Sequence, residues 1–127
     1  MAKTEITLVN PLDEGYAREG YIKVKDIRSV TVNAKIDTEA ASLIITEELR
    51  KKLGLGIKEE KLTKLANGQG VKCHVTETVI IRWKNRHWST VALVVPWANE
   101  VILGVQGDKI DHYVLDLLES VKGGIRS

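Results

Sequence analysis

Residues 34–42 read Ala-Lys-Ile-Asp-Thr-Glu-Ala-Ala-Ser and lie between two stretches rich in apolar residues. The residues before Asp37, from 30 to 36, alternate apolar and polar side chains, as a strand with one buried face does. The pattern therefore predicts a strand that ends at Asp37 and presents Asp37 and Thr38 on a turn. Asp is an ordinary turn residue, so the motif gains meaning only from its surroundings.

A short helix is predicted soon after that turn. The apolar residues 43–45 are followed by Thr46, a good N-cap, and by two glutamates that suit the positive end of a helix. Leu49 and Leu53 are four residues apart and share one face, and Gly54 provides the stop. This is the one helix that the sequence predicts.

The rest of the chain reads as strands separated by glycine, proline and polar turns. Stretches rich in Val, Ile and Thr favour a pleated, half-buried surface. Besides the strand before Asp37, the predicted strands are residues 4–10, 21–27, 61–66, 71–81, 79–83, 87–95, 101–103 and 113–118. The first of them ends at Pro11 and a polar run to Gly15. Hairpin turns are predicted at residues 67–70, where an Asn-Gly step tolerates positive φ angles, and at residues 84–85.

Length and composition bound the kind of protein. The 127 residues suit a single domain, 1–127, with an N-terminal strand and turn over 1–20 and a flexible tail over 119–127. A net charge of +2 gives no argument for a nucleic-acid or membrane partner. The single cysteine, Cys73, excludes an internal disulfide and suits a reducing compartment. Because no apolar run could span a bilayer or serve as a signal peptide, we expect a cytoplasmic protein.

Taken together, these elements resemble the retropepsin-type aspartic proteases, most closely their small, stand-alone microbial members. In that family, apolar residues precede Asp-Thr-Gly-Ala and Ser or Thr, and a helix closing on Leu-Gly-Leu follows; residues 34–42 and Leu53-Gly54-Leu55 are similar to this pattern. A second family motif, two apolar residues before glycine, is matched by Ile102-Leu103-Gly104. The hairpin turn at 67–70 occupies the place of the family's flap. The resemblance spans roughly residues 21 to 118, in the right order.

The resemblance implies an all-β domain: a closed retropepsin-like β-barrel (the acid protease fold) with one short helix, which is half of a two-fold dimeric protease. Each chain supplies one Asp37, and two carboxylates about 3 Å apart share one proton because both cannot easily ionise. The ionised partner takes a proton from a water held between them, and the protonated one polarises the scissile carbonyl. The implied function is a homodimeric aspartic endopeptidase that cuts extended peptides without a metal or cofactor.

The same resemblance implies the site residues. Asp37 is the catalytic carboxylate, and Thr38, Glu39 and Ala40 support the active-site turn. The implied substrate-binding residues, in the flap and the walls, are Ala41, Ala66, Asn67, Gly68, Gln69, Gly70, Ile102, Leu103 and Gly104. Apolar walls that include Ile44, Ile102 and Leu103 favour apolar substrate side chains.

Glu39 departs from the family, which has a glycine after Asp-Thr. A bare Cα leaves room for a peptide, whereas a glutamate on each subunit adds two carboxylates near the two-fold axis. At ~5 Å and an effective dielectric constant of ~20, one extra charge costs on the order of 3 kcal/mol, which favours protonated Asp37 and weakens the general base at neutral pH. A rotated turn would instead point Glu39 outward, and the sequence is compatible with both orientations. The alternative function is therefore a catalytically silent homodimer of the same fold that binds peptides or acts as a scaffold.

Two other patterns have simpler interpretations. Residues 82–88 interleave basic and aromatic side chains, which can bind phosphates and stack on bases. With a net charge of only +2, a hairpin whose tryptophans cover the core explains them better, so nucleic acid is not an expected partner. The three histidines, His74, His87 and His112, lack metal-ligand spacing and fit solvent-facing strand positions. Cys73 is predicted to be a half-buried strand residue.

Overall fold

A computed structural model describes residues 3–37, 43–64, 68 and 70–104, which are mostly β-structure. Within these residues the helices are α1 (Pro11–Arg18) and α2 (Glu47–Leu53), and a 3-10 turn spans Val24–Asp26. The strands are β1 (Lys3–Val9), β2 (Ser29–Asp37), β3 (Leu43–Ile45), β4 (Ile57–Lys64), β5 (Gly70–Thr76), β6 (Val79–Trp83), β7 (Arg86–Thr90), β8 (Ala92–Val94) and β9 (Ile102–Gly104).

The strands form one mixed sheet in the order β4-β5-β8-β3-β9-β2-β1-β6-β7. Strand β2 lies between antiparallel β1 and parallel β9, and β3 runs parallel to β8. The closed barrel expected from the sequence is not observed over the described residues. A barrel closes when its first and last strands pair, and here β4 pairs with β5 and β7 with β6, so the sheet is open with β4 and β7 at its edges.

The hydrophobic core lies against one face of the sheet. Because successive strand residues point to opposite faces, Ala34 and Ile36 of β2 are buried in this core while their neighbours point away. Leu53 of α2 joins the same core. Trp83 is buried there and Trp88 packs against it, as the hairpin interpretation of residues 82–88 predicts.

Helix α1 replaces the polar turn that was predicted after the first strand. The Asn10 Oδ1 accepts the backbone N–H groups of Leu12 and Asp13 at 2.9 and 3.1 Å, and Pro11 starts the helix, where no N–H is needed. The buried Asn10 side chain also donates from Nδ2 to the Leu53 carbonyl oxygen at 2.8 Å. The prediction of a single helix is therefore wrong, because the described residues form two.

The strand predicted at residues 21–27 is also wrong. These residues form a loop with the 3-10 turn at its centre, in which the Asp26 carboxylate accepts the Lys23 N–H at 3.3 Å. Over residues 29–35 the antiparallel partner of β2 is β1 instead of this segment.

Two predicted strands, 71–81 and 87–95, are each divided in two. The halves of each strand pair with different neighbours. In 71–81, β5 pairs with β4 and β8, whereas β6 pairs with β1 and β7. In 87–95, β7 pairs with β6, whereas β8 pairs with β3 and β5. At the first break, the buried Thr76 hydroxyl accepts the Ala92 N–H at 3.0 Å and donates to the Glu77 carbonyl oxygen at 2.7 Å. Both predicted hairpins are confirmed, with β4 and β5 paired up to Lys64 and Gly70, and with β6 and β7 turning at Lys84.

Helix α2 agrees with the prediction. The Thr46 Oγ1 accepts the Leu49 N–H at 3.1 Å, and Gly54 ends the helix in the left-handed conformation at a φ of 67°. Neither helix in the described part of the chain is both long and apolar enough to cross a membrane. The strand predicted at residues 113–118 and the tail at 119–127 lie outside the described residues.

Candidate functional site

Asp37 is the last residue of β2, near the middle of the sheet. Its backbone lies opposite Gly104 of parallel β9, and Ile36 lies opposite Leu103. Ile36 and Leu103 are both buried in the core, so their packing holds the two strand ends together. Asp37 is half-buried, and strand alternation turns its side chain to the face opposite the core.

That face also carries a pocket of about 280 Å3. Leu93 of β8 lies opposite Ile44 of β3, and Ile44 lies opposite Ile102 of β9, so one row of side chains crosses three strands along the pocket. Ile102 in turn lies opposite Lys35, which shares a strand face with Asp37 two residues later. Asp37 and the pocket are therefore on the same side of the sheet. The other lining residues are Cys73, Val95, Trp97, Ala98, Asn99 and Glu100.

The lining is suited to an apolar side chain of a ligand. Aliphatic groups dominate, and the polar groups of Asn99 and Glu100 are few, which is the usual composition of a small binding site. Cys73 is buried at the pocket and not half-buried as predicted, with its sulfur 3.8 Å from the Val71 carbonyl oxygen. No group of three or more His, Cys, Asp or Glu side chains within the described ranges is placed to hold a metal ion.

The structure separates the two apolar residues of the Ile-Leu-Gly motif. Ile102 is half-buried and lines the pocket, whereas Leu103 is 2 % exposed and belongs to the hydrophobic core. Adjacent residues of a strand point to opposite faces, so the expectation that both form subsite walls is wrong for Leu103. Gly104 again faces the Asp37 side, directly opposite Asp37 in the register.

The remaining predicted site residues are only partly covered by the structure. Gly70 begins β5, and Gly68 in the connection before it has a φ of 86°, the left-handed region that favours glycine. Seven predicted site residues lie outside the described residues, namely Thr38, Glu39, Ala40, Ala41, Ala66, Asn67 and Gln69. The structure thus brings together Asp37, Ile102 and Gly104.

Sequence reasoning missed Leu93, Trp97 and Glu100 as pocket residues. A signal for Leu93 was present, because the middle of three apolar strand residues must face away from its two neighbours, and Ala92 and Val94 are both core residues. The loop that carries Trp97 and Glu100 has no periodic pattern, so its approach to the pocket depends on how β8 and β9 are placed in the sheet.

Comparison with known proteins identifies the architecture. No protein-family model matches the sequence, and a search of curated proteins also finds no match. Among solved structures, the EIAV protease complexed with the inhibitor HBY-793 is similar, with a TM-score of 0.56 and 23% sequence identity, covering 95% of this chain and 88% of that chain. The chain has a retropepsin-like fold.

A retropepsin-like aspartic protease from Rickettsia conorii is also similar, with a TM-score of 0.39 and 16% identity, covering 81% of this chain and 76% of that chain. The similarity to the EIAV protease confirms the retropepsin-like fold predicted from the Asp-Thr turn, helix α2, the β4–β5 hairpin and the Ile-Leu-Gly motif. At 23% identity the likeness establishes the fold, and the chemistry has to be argued from the residues at the site.

Proposed function

We propose that this chain is an aspartic endopeptidase that hydrolyses peptide bonds as a homodimer, with Asp37 as its catalytic carboxylate. The observation that carries the proposal is the position of Asp37, which ends β2 beside β9 on the same sheet face as an apolar pocket. The retropepsin-like fold supports it, because a solved structure similar to this chain is a protease with a bound inhibitor.

In the proposed reaction, two copies of the chain each supply one Asp37. Two carboxyl groups about 3 Å apart share a single proton, because a second negative charge at that distance is costly. The ionised carboxylate takes a proton from the attacking water, and the protonated carboxyl donates a hydrogen bond to the scissile carbonyl oxygen. No metal or cofactor takes part.

The other predicted site residues have supporting roles in this proposal. Thr38, Glu39 and Ala40 shape the turn around the carboxyl pair, and Ala41 lines the floor. The flap residues 66–70 close over the bound peptide and exclude water. One substrate side chain enters the apolar pocket against Ile44 and Ile102, which line it.

The test is cleavage of a diverse peptide library by the wild type and by Asp37→Asn. We expect Asp37→Asn to reduce the cleavage rate by at least about a thousandfold, because the amide can neither accept the proton of the water nor share a proton with its partner. Asp26→Asn is the matched control, since Asp26 is exposed on the 3-10 turn and does not line the pocket. Circular dichroism and thermal unfolding should be unchanged in both variants.

The assays should run from about pH 3 to about pH 8, because the proposed reaction needs one ionised and one protonated Asp37 carboxyl at the same time. Cleavage that survives Asp37→Asn would contradict the assigned role of Asp37. A wild type that binds library peptides but cleaves none of them at any pH would identify the silent homodimer instead.

A further inference from the structure

Three charged side chains adjoin the apolar pocket. The Glu100 carboxylate lies 3.6 Å from the Lys35 Nζ and 4.0 Å from the Lys3 Nζ. Glu100 also lines the pocket, whereas both lysines come from neighbouring strands. We refer to Lys3, Lys35 and Glu100 together as the Glu100 cluster.

The Glu100 cluster is continuous with the pocket floor. In the sheet register Lys3 lies opposite Lys35, Lys35 opposite Ile102, and Ile102 opposite Ile44, so one row of side chains runs from two charged residues to two apolar ones. Lys35 precedes Asp37 by two residues on the same strand face, a separation of roughly 7 Å along β2. A ligand lying across Asp37 on this face therefore contacts an apolar surface and a charged surface side by side.

The Glu100 cluster carries more positive than negative charge. Two ammonium groups share one carboxylate, and both nitrogen–oxygen distances are long for an ion pair, which leaves donors of each ammonium available. The side chains of Lys35 and Glu100 are only 30% and 40% exposed, so solvent screens this charge less than it would on an open surface. Glu5 lies two residues after Lys3 on the same face of β1. Because Glu5 lies opposite Asn33, it is one residue pair farther from Ile102 than Lys3 is.

We propose that the Glu100 cluster is a specificity-determining wall of the peptide cleft, and that this chain selects extended peptides that carry an acidic side chain beside an apolar one. The inference rests on the proposed function in taking an extended peptide as the ligand. In such a peptide, side chains on one side are spaced by roughly 7 Å, so one apolar group fits the pocket while the acidic group meets Lys35 and Lys3. Glu100 holds the two ammonium groups in place, and the substrate carboxylate takes the remaining donors.

The test measures binding, independently of cleavage. Fluorescently labelled peptides with a reduced, uncleavable central bond are synthesised in sets that differ only by Glu, Gln or Lys at one position, each position in turn. At one position we expect the wild type to bind the Glu peptide about three- to fivefold more tightly than the isosteric Gln peptide at low salt, and the Lys peptide more weakly than either. The difference should shrink as salt is added, because screening weakens it.

Three variants assign the effect to the cluster. Lys35→Met and Lys3→Met should each reduce the preference for Glu over Gln, whereas Glu100→Gln should increase it by releasing both ammonium groups. Lys51→Met is the matched control, since Lys51 is an exposed lysine on α2 outside the pocket lining. Equal binding of Glu and Gln peptides at every position, no binding of any peptide, or a preference unchanged in both lysine variants would overturn the inference.

The binding test of the Glu100 cluster and the cleavage test of the endopeptidase can fail independently of each other. A charge preference in a protein that cleaves nothing would leave the Glu100 cluster as a binding determinant and reject the endopeptidase. Cleavage that depends on Asp37 but shows no preference between Glu and Gln peptides would support the endopeptidase and reject the Glu100 cluster as a specificity determinant.

Discussion

At the scale of single residues, the most constrained charge among the described residues is the Asp13 carboxylate on α1. It accepts hydrogen bonds from the Arg28 backbone N–H at 3.0 Å, from the Arg28 Nε at 2.7 Å and from the Arg28 Nη2 at 3.0 Å. Its side chain is 8% exposed. The side-chain hydrogen bonds from Arg28 hold the pKa of the Asp13 carboxyl below its usual value, although burial acts in the opposite direction.

A lowered pKa in the folded state makes Asp13 a source of stability that depends on pH. The contribution is complete above the pKa of the unfolded chain, about 3.9, and is lost as the pH falls through the lower folded pKa. Asp13→Asn should therefore lower the free energy of unfolding by about 1–3 kcal/mol at neutral pH, because it removes hydrogen bonds to a charged group. The gap between the variant and the wild type should narrow below about pH 4.

Urea unfolding at several pH values measures this gap, with Asp26→Asn as the control for an exposed aspartate on the neighbouring 3-10 turn. If the difference between Asp13→Asn and the wild type stayed the same down to about pH 2, the ionised carboxylate would not be its cause.

At the scale of elements, the end of α2 depends on a contact with another part of the chain. Gly54 is left-handed at a φ of 67°, and a Cβ at this position would overlap the Arg28 guanidinium. That guanidinium is fixed by Asp13 of α1, so it can move only by giving up its hydrogen bonds. Gly54, which ends α2, is therefore linked through Arg28 to Asp13 in the first turn of α1.

Gly54→Ala should destabilise the protein in two ways. The left-handed backbone costs about 1–2 kcal/mol with any Cβ, and displacement of Arg28 adds about 1 kcal/mol or more. Gly20→Ala is the matched control, since Gly20 has a φ of 84° with nothing within 4 Å of the added Cβ. Equilibrium unfolding of both variants isolates the contact.

The double variant Asp13→Asn, Gly54→Ala checks the cause. Both changes disrupt the same pairing of Asp13 with Arg28. The double variant should therefore lose less free energy of unfolding than the sum of the losses in the two single variants. Full additivity, or equal costs for Gly54→Ala and Gly20→Ala, would exclude displacement of Arg28 as the reason.

The elements differ in how far the sequence predicts them. Helix α2 was predictable because Thr46 and Gly54 mark its ends locally. For α1, the Asn10-Pro11 step is a cap signal that the subsequent Gly15 and polar residues obscured. The contact of its Asp13 with Arg28 joins residues that are distant in sequence. No local rule identifies residues 21–27 as a loop, because their alternation suits a strand and the pairing of β2 with β1 instead is a contact between segments distant in sequence.

At the scale of the whole molecule, the proposed active site needs two chains, and this can be tested by mixing. Wild type mixed with about a tenfold excess of Asp37→Asn should lose roughly nine-tenths of its cleavage activity, because nearly every wild-type chain then pairs with an inactive one. Adding the same excess of wild type should instead raise total activity, and activity per chain should fall on dilution.

Activity unaffected by the Asp37→Asn chain, together with constant activity per chain on dilution, would mean that a single chain carries the whole site. Sedimentation at the assay concentrations, measured alongside, reports the dimer fraction directly.

For the site as a whole, the sequence predicted the position of Asp37 at the end of a strand but only part of the pocket that lies on the same face. The sequence predicts Asp37 and Ile102 as site residues because their motifs are short and local, and the structure places both on the face that carries the pocket. The pocket was not found as a unit, since its row of side chains crosses β8, β3 and β9, whose order in the sheet differs from their order in the chain. Leu103 was misplaced for a related reason: a motif gives the residue types but the register decides which of them faces the core.

The parallel pairing of β2 with β9 also bears on protein synthesis. Strand β2 ends at Asp37, but β9 begins at Ile102, so a ribosome that makes the chain from its N-terminus releases the first long before the second. Until β9 emerges, the strand end that carries Asp37 has no Gly104 beside it. A nascent chain thus exposes Asp37 before Gly104 can lie beside it, so the candidate site is completed only late in synthesis.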